Sequence, residues 1–241
     1  MTSIVLLHGL GVDHRMWSLQ LGALQSLGPL WAPDLPGFGA EPPVPPPARS
    51  AEAYADWVAA ALRTRGSGPH GVAGYSMGGS VALLLALRHP DLVARLALCC
   101  CSPRWGRGGG RWVSRLLAGR GGYLAAEVFQ LSVRWAFRRS GLDGALEPVV
   151  ADMTRRAHRP TMATLCRSLA RLDLRPALAG VACPTLVVGG TRELLVPASH
   201  HRRMARAIPR AELRLFRGAG HVLCVTRAGE FSAVLRGFFR H

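Results

Sequence analysis

The chain contains no lysine: all 30 of its basic residues are arginine. Chemistry that runs through a lysine amine, such as Schiff-base formation or a Walker-type phosphate loop, is therefore excluded. Long apolar runs are missing too. The longest, Val81–Leu87, falls far short of the ~20 residues that span a bilayer. Met1–Gly9 has neither the basic start nor the apolar length of a secretion signal, so no membrane association is expected. The cysteines, at 99, 100, 101, 166, 183 and 224, include no C-x-x-C pair and no regular framework. That spacing argues against a disulfide scaffold and a zinc site. It fits buried, reduced thiols in a cytoplasmic protein.

What is present is a chain of 241 residues, 49% hydrophobic and 18% charged, with a mean hydropathy of +0.17. Such a composition can bury a sizeable core and does not suit disorder. Acidic residues number 14, so the net charge is +16. This favours anionic partners in general. The arginines are spread along the whole chain beside 28 Gly and 17 Pro, which reads as coding bias, and a nucleic-acid partner is not expected.

Short apolar runs alternate with helical patterns. Ile4–His8, Leu30–Asp34, Gly71–Gly74 and Val93–Cys101 read as strands, with helices over Arg15–Leu27, from Ser50 to about Arg65, and over Ser76–His89. From Pro103 to about Arg175 no strand pattern occurs. Helical stripes replace it, Leu124, Val128, Leu131 and Trp135 on one face and Met162, Leu165, Cys166 and Leu169 on another. Strands resume at Thr185–Gly189 and Glu212–Phe216, with helices near Ala198–Ile208 and Arg227–Arg240. This rhythm predicts an open, mainly parallel α/β sheet of about six strands with helices on both faces. Residues 1–102 and 171–241 form the core, and 103–170 is a helical lid inserted after the fourth strand.

Gly74-Tyr75-Ser76-Met77-Gly78 places a G-x-S-x-G motif between an apolar strand and an apolar helix. The turn is so sharp that side chains at the flanking positions would clash, and the serine is held in a strained conformation above the sheet's carboxyl edge. A serine needs a base, and the base needs an acid to orient it. Gly218-Ala219-Gly220-His221 follows the last strand, on the same edge as Ser76. His89 stands at a helix end, His200 and His201 open a helix surface, and His8 closes the first strand, so their claims are weaker. Glu193 is the only carboxylate in the turn after the fifth strand, Gly189–Pro197, with Asp34 the next candidate. The order Ser76, Glu193, His221 is that of a hydrolase triad. A buried structural histidine and a surface glutamate paired with Arg192 are the plainer alternatives.

These residues resemble the α/β-hydrolase superfamily over nearly the whole chain. The matching motifs are His8-Gly9-Leu10-Gly11, Asp34-Leu35-Pro36-Gly37-Phe38-Gly39, the Ser76 elbow, Pro184–Gly189 and Gly218–His221. The resemblance implies an oxyanion hole from the backbone N–H groups of Leu10 and Met77, worth ~3–4 kcal/mol per donor. Most relatives carry aspartate where Glu193 stands, and the extra methylene asks for a shifted backbone. The chain also starts almost at the family's third strand, so the expected sheet is six parallel strands in the order 2-1-3-4-5-6. No metal and no cofactor is implied.

Ser76 at the elbow argues against dehalogenases and epoxide hydrolases of this fold, which place aspartate there. Carboxylesterases, thioesterases, lactonases, carbon–carbon bond hydrolases and cofactor-free perhydrolases remain, as does a noncatalytic binding member of the fold. His8–Gly11 with Trp17, Asp34–Gly39 and Ser102-Pro103 resemble the pimeloyl-carrier-protein methyl ester esterases of biotin synthesis. That resemblance implies an acidic carrier recognised by basic lid residues. Residues 103–170 hold twelve arginines against Glu127, Asp143, Glu147 and Asp152. A solvated arginine face would look the same. Expected substrates are a small ester or an acyl-carrier-linked ester, with Trp105, Trp112, Phe129 and Trp135 lining an acyl pocket or forming the lid's own core. The oligomeric state is not legible.

Overall fold

The computed structural model describes residues 3–45, 48–66, 68–105, 131 and 146–240. Six strands, β1 (Ile4–Leu7), β2 (Leu30–Trp31), β3 (His70–Tyr75), β4 (Val93–Cys99), β5 (Thr185–Gly190) and β6 (Ala211–Phe216), form one sheet. Its order is β2-β1-β3-β4-β5-β6, and every neighbouring pair is parallel. The expected order and direction are those observed.

Alternation along β1 shows why its sequence is apolar throughout. Val5 and Leu7 enter the cluster on one face, and Ile4 and Leu6 enter the cluster on the other. A strand covered on both sides has no position to spare for a polar side chain. The first cluster is roofed by helices α2 (Ala51–Arg65) and α3 (Met77–Arg88), the second by α1 (Ser18–Leu24) and the C-terminal helix Ala228–Arg240. Trp17 is fully buried in the second, stacked on Phe231 at 6.2 Å and edge-on to Tyr75 at 6.1 Å.

Helix α2 illustrates local determination. The Ser50 side chain accepts from the Ala53 N–H at 3.1 Å, Glu52 lies in the first turn, and Arg63 and Arg65 lie in the last. Each charge sits where the helix dipole favours it. Two boundaries differ from expectation. β2 stops at Trp31 and does not reach Asp34, because Pro33 has no N–H to give to the ladder. The helix expected over Arg15–Leu27 is α1 flanked by 3-10 turns at His14–Trp17 and Gln25–Leu27.

Helices α4 (Leu146–Arg156) and α5 (Arg159–Arg171) belong to the segment between β4 and β5. The stripe Met162, Leu165, Cys166 and Leu169 is buried in the first cluster, as expected. The His158 N–H donates to the Gly37 carbonyl at 2.8 Å, seating α5 on the loop after β2. Arg15 pairs with Asp152 of α4 at 2.9 Å. Leu131 is exposed, while Leu124, Val128 and Trp135 lie outside the described residues. Among the described residues, no helix is long and apolar enough to cross a membrane.

Candidate active site

The turn between β3 and α3 is closed by backbone approach at both flanking glycines. A Cβ on Gly74 would lie 2.2 Å from the Gly78 carbonyl oxygen, and one on Gly78 would lie 2.4 Å from that of Leu7. Ser76 between them has φ 55° and ψ −114°, outside the regions comfortable for a residue with a side chain. The strain projects its hydroxyl over the carboxyl edge of the sheet.

Ser76 Oγ lies 3.1 Å from His221 Nε2, although the two residues are 145 positions apart. On the other side of the ring, His221 Nδ1 makes a short hydrogen bond with Glu193 Oε1. Glu193 is buried, and burial alone would raise its pKa. The charge and hydrogen bond of His221 outweigh that effect and hold the carboxyl below its ordinary value.

Two loops must meet for this contact, and a set of hydrogen bonds locks them together. The Arg192 N–H donates to the Ala219 carbonyl at 2.9 Å, the Thr191 N–H to that of Phe216 at 3.0 Å, and the Gly218 N–H to Thr191 Oγ1 at 2.8 Å. Gly190 is required because a Cβ there would strike the Ala219 carbonyl oxygen at 2.2 Å. The two loops therefore act as one unit, and Glu193 reaches the imidazole from it with its longer side chain.

The Leu10 and Met77 N–H groups find no acceptor among the described residues. A Cβ on Gly9 would lie 3.6 Å from the Ser76 Cβ, so the His8–Gly11 turn runs directly beside the elbow. His8 fixes that turn. Its Nε2 accepts from the Leu35 N–H at 2.9 Å, which leaves Nδ1 to donate to the Gly9 carbonyl at 2.8 Å. Burial lowers its pKa, consistent with this neutral form.

Other predicted residues fall elsewhere. Asp34 is held by the His14 N–H and ring and by the Ala40 N–H, so it has no part in orienting His221. Cys224 is buried, and burial pushes its thiol up to about 12. Trp105 Nε1 donates to Ser80 Oγ at 2.8 Å, one helical turn past Ser76. Trp112, Phe129 and Trp135 lie outside the described residues. His201 corrects an expectation. It does not open a helix surface but is fully buried, because its ring fills the space left by Gly189, where a Cβ would meet it at 2.4 Å.

Tyr75 was not legible as a site residue. Its hydroxyl donates to the His221 carbonyl at 2.5 Å, and the two rings pack edge-on at 5.9 Å. Nothing in G-x-S-x-G spacing signals this. Among the described residues, Cys100, Glu193 and His221, and separately Asp13, His14 and Asp34, bring possible metal-ligand atoms within 4.8 Å of one another. In both groups those atoms are largely engaged: Glu193 with His221, Asp13 with Arg15, and Asp34 with His14.

The fold and the elbow are those of a hydrolase built on a parallel α/β sheet, and residues 4–234 match the model of the alpha/beta hydrolase family. The chain belongs to that family. It is 28% identical to a pimeloyl-[acyl-carrier protein] methyl ester esterase of Neisseria meningitidis, over 98% of this chain and 92% of that protein. Among solved structures it is similar to an enol-lactonase from Burkholderia xenovorans, with a TM-score of 0.84 and 26% identity over 100% of this chain and 92% of that one. A thermophilic esterase from Thermogutta terrifontis gives a TM-score of 0.83 and 28% identity, over 100% and 90% of the two chains.

Proposed function

We propose that this hydrolase cleaves a carboxylic ester through an acyl-enzyme, with Ser76 as nucleophile, His221 as general base and acid, and Glu193 as the group that orients the imidazole. The observation that carries the reading is the contact of Ser76 Oγ with His221 Nε2 at 3.1 Å, backed by Glu193 on the far side of the ring. Ser76 Oγ attacks the ester carbonyl while its proton passes to His221 Nε2. The negative oxygen of the tetrahedral intermediate takes hydrogen bonds from the Leu10 and Met77 N–H groups. His221 returns the proton to the leaving alkoxide, and the alcohol departs. Water, deprotonated by the same nitrogen, then attacks the acyl-serine and releases the acid.

The name of the Neisseria relative favours a carrier-linked methyl ester, and that of the Burkholderia structure a lactone. We read 103–170 as a lid, with Trp105 forming one wall of the acyl pocket. Six free cysteines suit a reducing, cytoplasmic setting.

A fluorophosphonate probe tests the chemistry. It should label wild-type protein at Ser76 and leave Ser76→Ala unlabelled. Ser76→Ala and His221→Ala should each abolish hydrolysis of p-nitrophenyl esters, and the double variant should be scarcely worse than either. A noncatalytic binding protein would resist labelling. Graded p-nitrophenyl acyl esters, run beside a methyl ester on an acyl-carrier protein, then decide the substrate. If charge reversal at Arg138 and Arg139 raised KM for the carrier ester alone, that would support carrier docking. No difference between the substrates would leave a general esterase.

A further inference from the structure

Glu193 has two carboxylate oxygens, and His221 engages one of them. The side chain is fully buried, and no N–H or O–H among the described residues donates to Oε2. A buried carboxylate oxygen left without a donor is costly. The group that comes near the carboxylate is a thiol. Cys100 Sγ, a Glu193 carboxylate oxygen and a His221 ring nitrogen all lie within 4.8 Å of one another. An S–H is a weak donor, and a carboxylate only accepts.

The backbone fixes where that thiol stands. Strand β4 lies between β3, which leads to Ser76, and β5, which leads to Glu193. Cys100 is the first residue past its carboxyl end. On one side the Ser76 N–H donates to the Cys99 carbonyl at 2.8 Å, and on the other the Cys100 N–H donates to the Val188 carbonyl at 2.8 Å. Held between those bonds, Cys100 has φ 48°, a left-handed conformation that favours glycine. Among the described residues, Ser76 is the only other non-glycine residue with a positive φ. Strain of this kind persists where the surroundings enforce it, and it clusters at working sites.

We infer that Cys100 is a positioning residue for Glu193: its S–H donates to the carboxylate oxygen that His221 leaves free, and so fixes the angle at which the acid meets the imidazole. This rests on the reading of Glu193 as the triad acid. Burial raises the Glu193 pKa, and a hydrogen bond from Cys100 joins the charge and hydrogen bond of His221 and the charge of His201 in opposing it. Burial above all, with the Glu193 charge beside it, pushes the Cys100 thiol well above its ordinary pKa, so the sulfur keeps its proton and remains a donor. Losing that donor should lower kcat and leave KM unchanged. It should also make the carboxylate more basic, so that Glu193 holds the Nδ1 proton of His221 more firmly and the imidazole's apparent pKa rises.

The test compares Cys100→Ala and Cys100→Gly, which have no donor, with Cys100→Ser, which keeps one of similar size. The glycine suits the positive φ, so it supplies a donorless variant even where the alanine folds poorly. Steady-state kinetics on p-nitrophenyl acetate across pH 5–9, with a thermal melt for each variant, give the readout. The expected result is a kcat lowered roughly three- to thirtyfold in Ala and Gly at constant KM, with Ser close to wild type. The acid limb of the kcat/KM profile should move up by roughly half a pH unit in the donorless variants and stay in place in Ser. In a Glu193→Gln background the Ala change should add little, since the two act as a unit. Wild-type kcat in Ala or Gly, or a Ser variant no better than Ala, overturns the inference and leaves Cys100 as packing. Wild-type kcat in Glu193→Gln alone would instead sink the assignment of the acid, and the two failures are thereby told apart.

Discussion

Tyr75 and His221 are joined by a 2.5 Å hydrogen bond from the phenol to the backbone carbonyl, so the residue before Ser76 anchors the loop that carries the proposed base. The elbow thus orders two partners at once. Its serine meets the His221 ring, while its tyrosine holds the His221 main chain. The phenol is completely buried, and burial above all pushes its pKa well above the ordinary value, so it remains a donor throughout the working pH range.

Tyr75→Phe should therefore weaken catalysis without touching substrate binding. It leaves the half-buried His221 carbonyl without its phenol donor, a loss of up to about 1–3 kcal/mol. If that cost is expressed as loosening of His221, kcat should fall roughly tenfold at constant KM. Unchanged kcat with a lowered melting temperature would restrict the tyrosine to stability.

Glu193→Gln keeps the shape of the acid and removes its charge. With Glu193 bonded to His221 Nδ1, kcat should drop by roughly 10²–10⁴ with little change in KM. Glu193→Asp should recover only part of the activity, because the shorter side chain leaves a gap to the ring. Rates on a single ester measured across pH 6–9 would check both, and a fully active Gln variant would rule the assignment out.

Gly78→Ala should disrupt the elbow, since the new Cβ would lie 2.4 Å from the Leu7 carbonyl oxygen and 2.5 Å from that of His8. Both obstacles are backbone, so relief requires moving β1 or the His8–Gly11 turn. Gly22→Ala in α1 is the control, because nothing lies within 4 Å of its Cβ. It should stabilise by about 0.5–1 kcal/mol. Thermal melts and soluble yields of the two variants should diverge in opposite directions from wild type.

Acid should destabilise the fold in a defined window. Burial lowers the His201 pKa from 6.5 to about 4. Above 6.5 the ring is neutral both folded and unfolded, so it has no effect on the balance. As pH falls from 6.5 to 4, the unfolded chain takes up a proton that the folded chain refuses, and stability declines by about 3 kcal/mol in total. Below 4 both states are protonated and the loss levels off. Urea midpoints at pH 7.5, 5.5 and 4.5 should fall in sequence, and His201→Gln should flatten the slope. An equal slope in that variant would assign the effect to other groups.

The strand–helix rhythm was legible in the amino-acid sequence because it is written locally, whereas the sheet order and the hydrolase class were implied by the resemblance that the motifs carry. Continuous apolar runs mark doubly covered strands, and the glycines around Ser76 mark a turn that no other residue permits. Glu193 and His221 were legible as candidates by the same logic, being polar residues just past strand ends that share one edge. The second strand was overread, since an apolar run does not reveal where a proline interrupts pairing. Which groups meet was decided by the tertiary structure alone. Ser76 and His221 are 145 positions apart, and their approach depends on the register of β3, β4, β5 and β6 and on the bonds between the Thr191 and Ala219 loops. No spacing rule contains that information. The Tyr75 anchor and the burial of His201 against Gly189 follow from the same cause: periodicity shows which face of an element is apolar, and only packing decides which neighbour fills the space beside it.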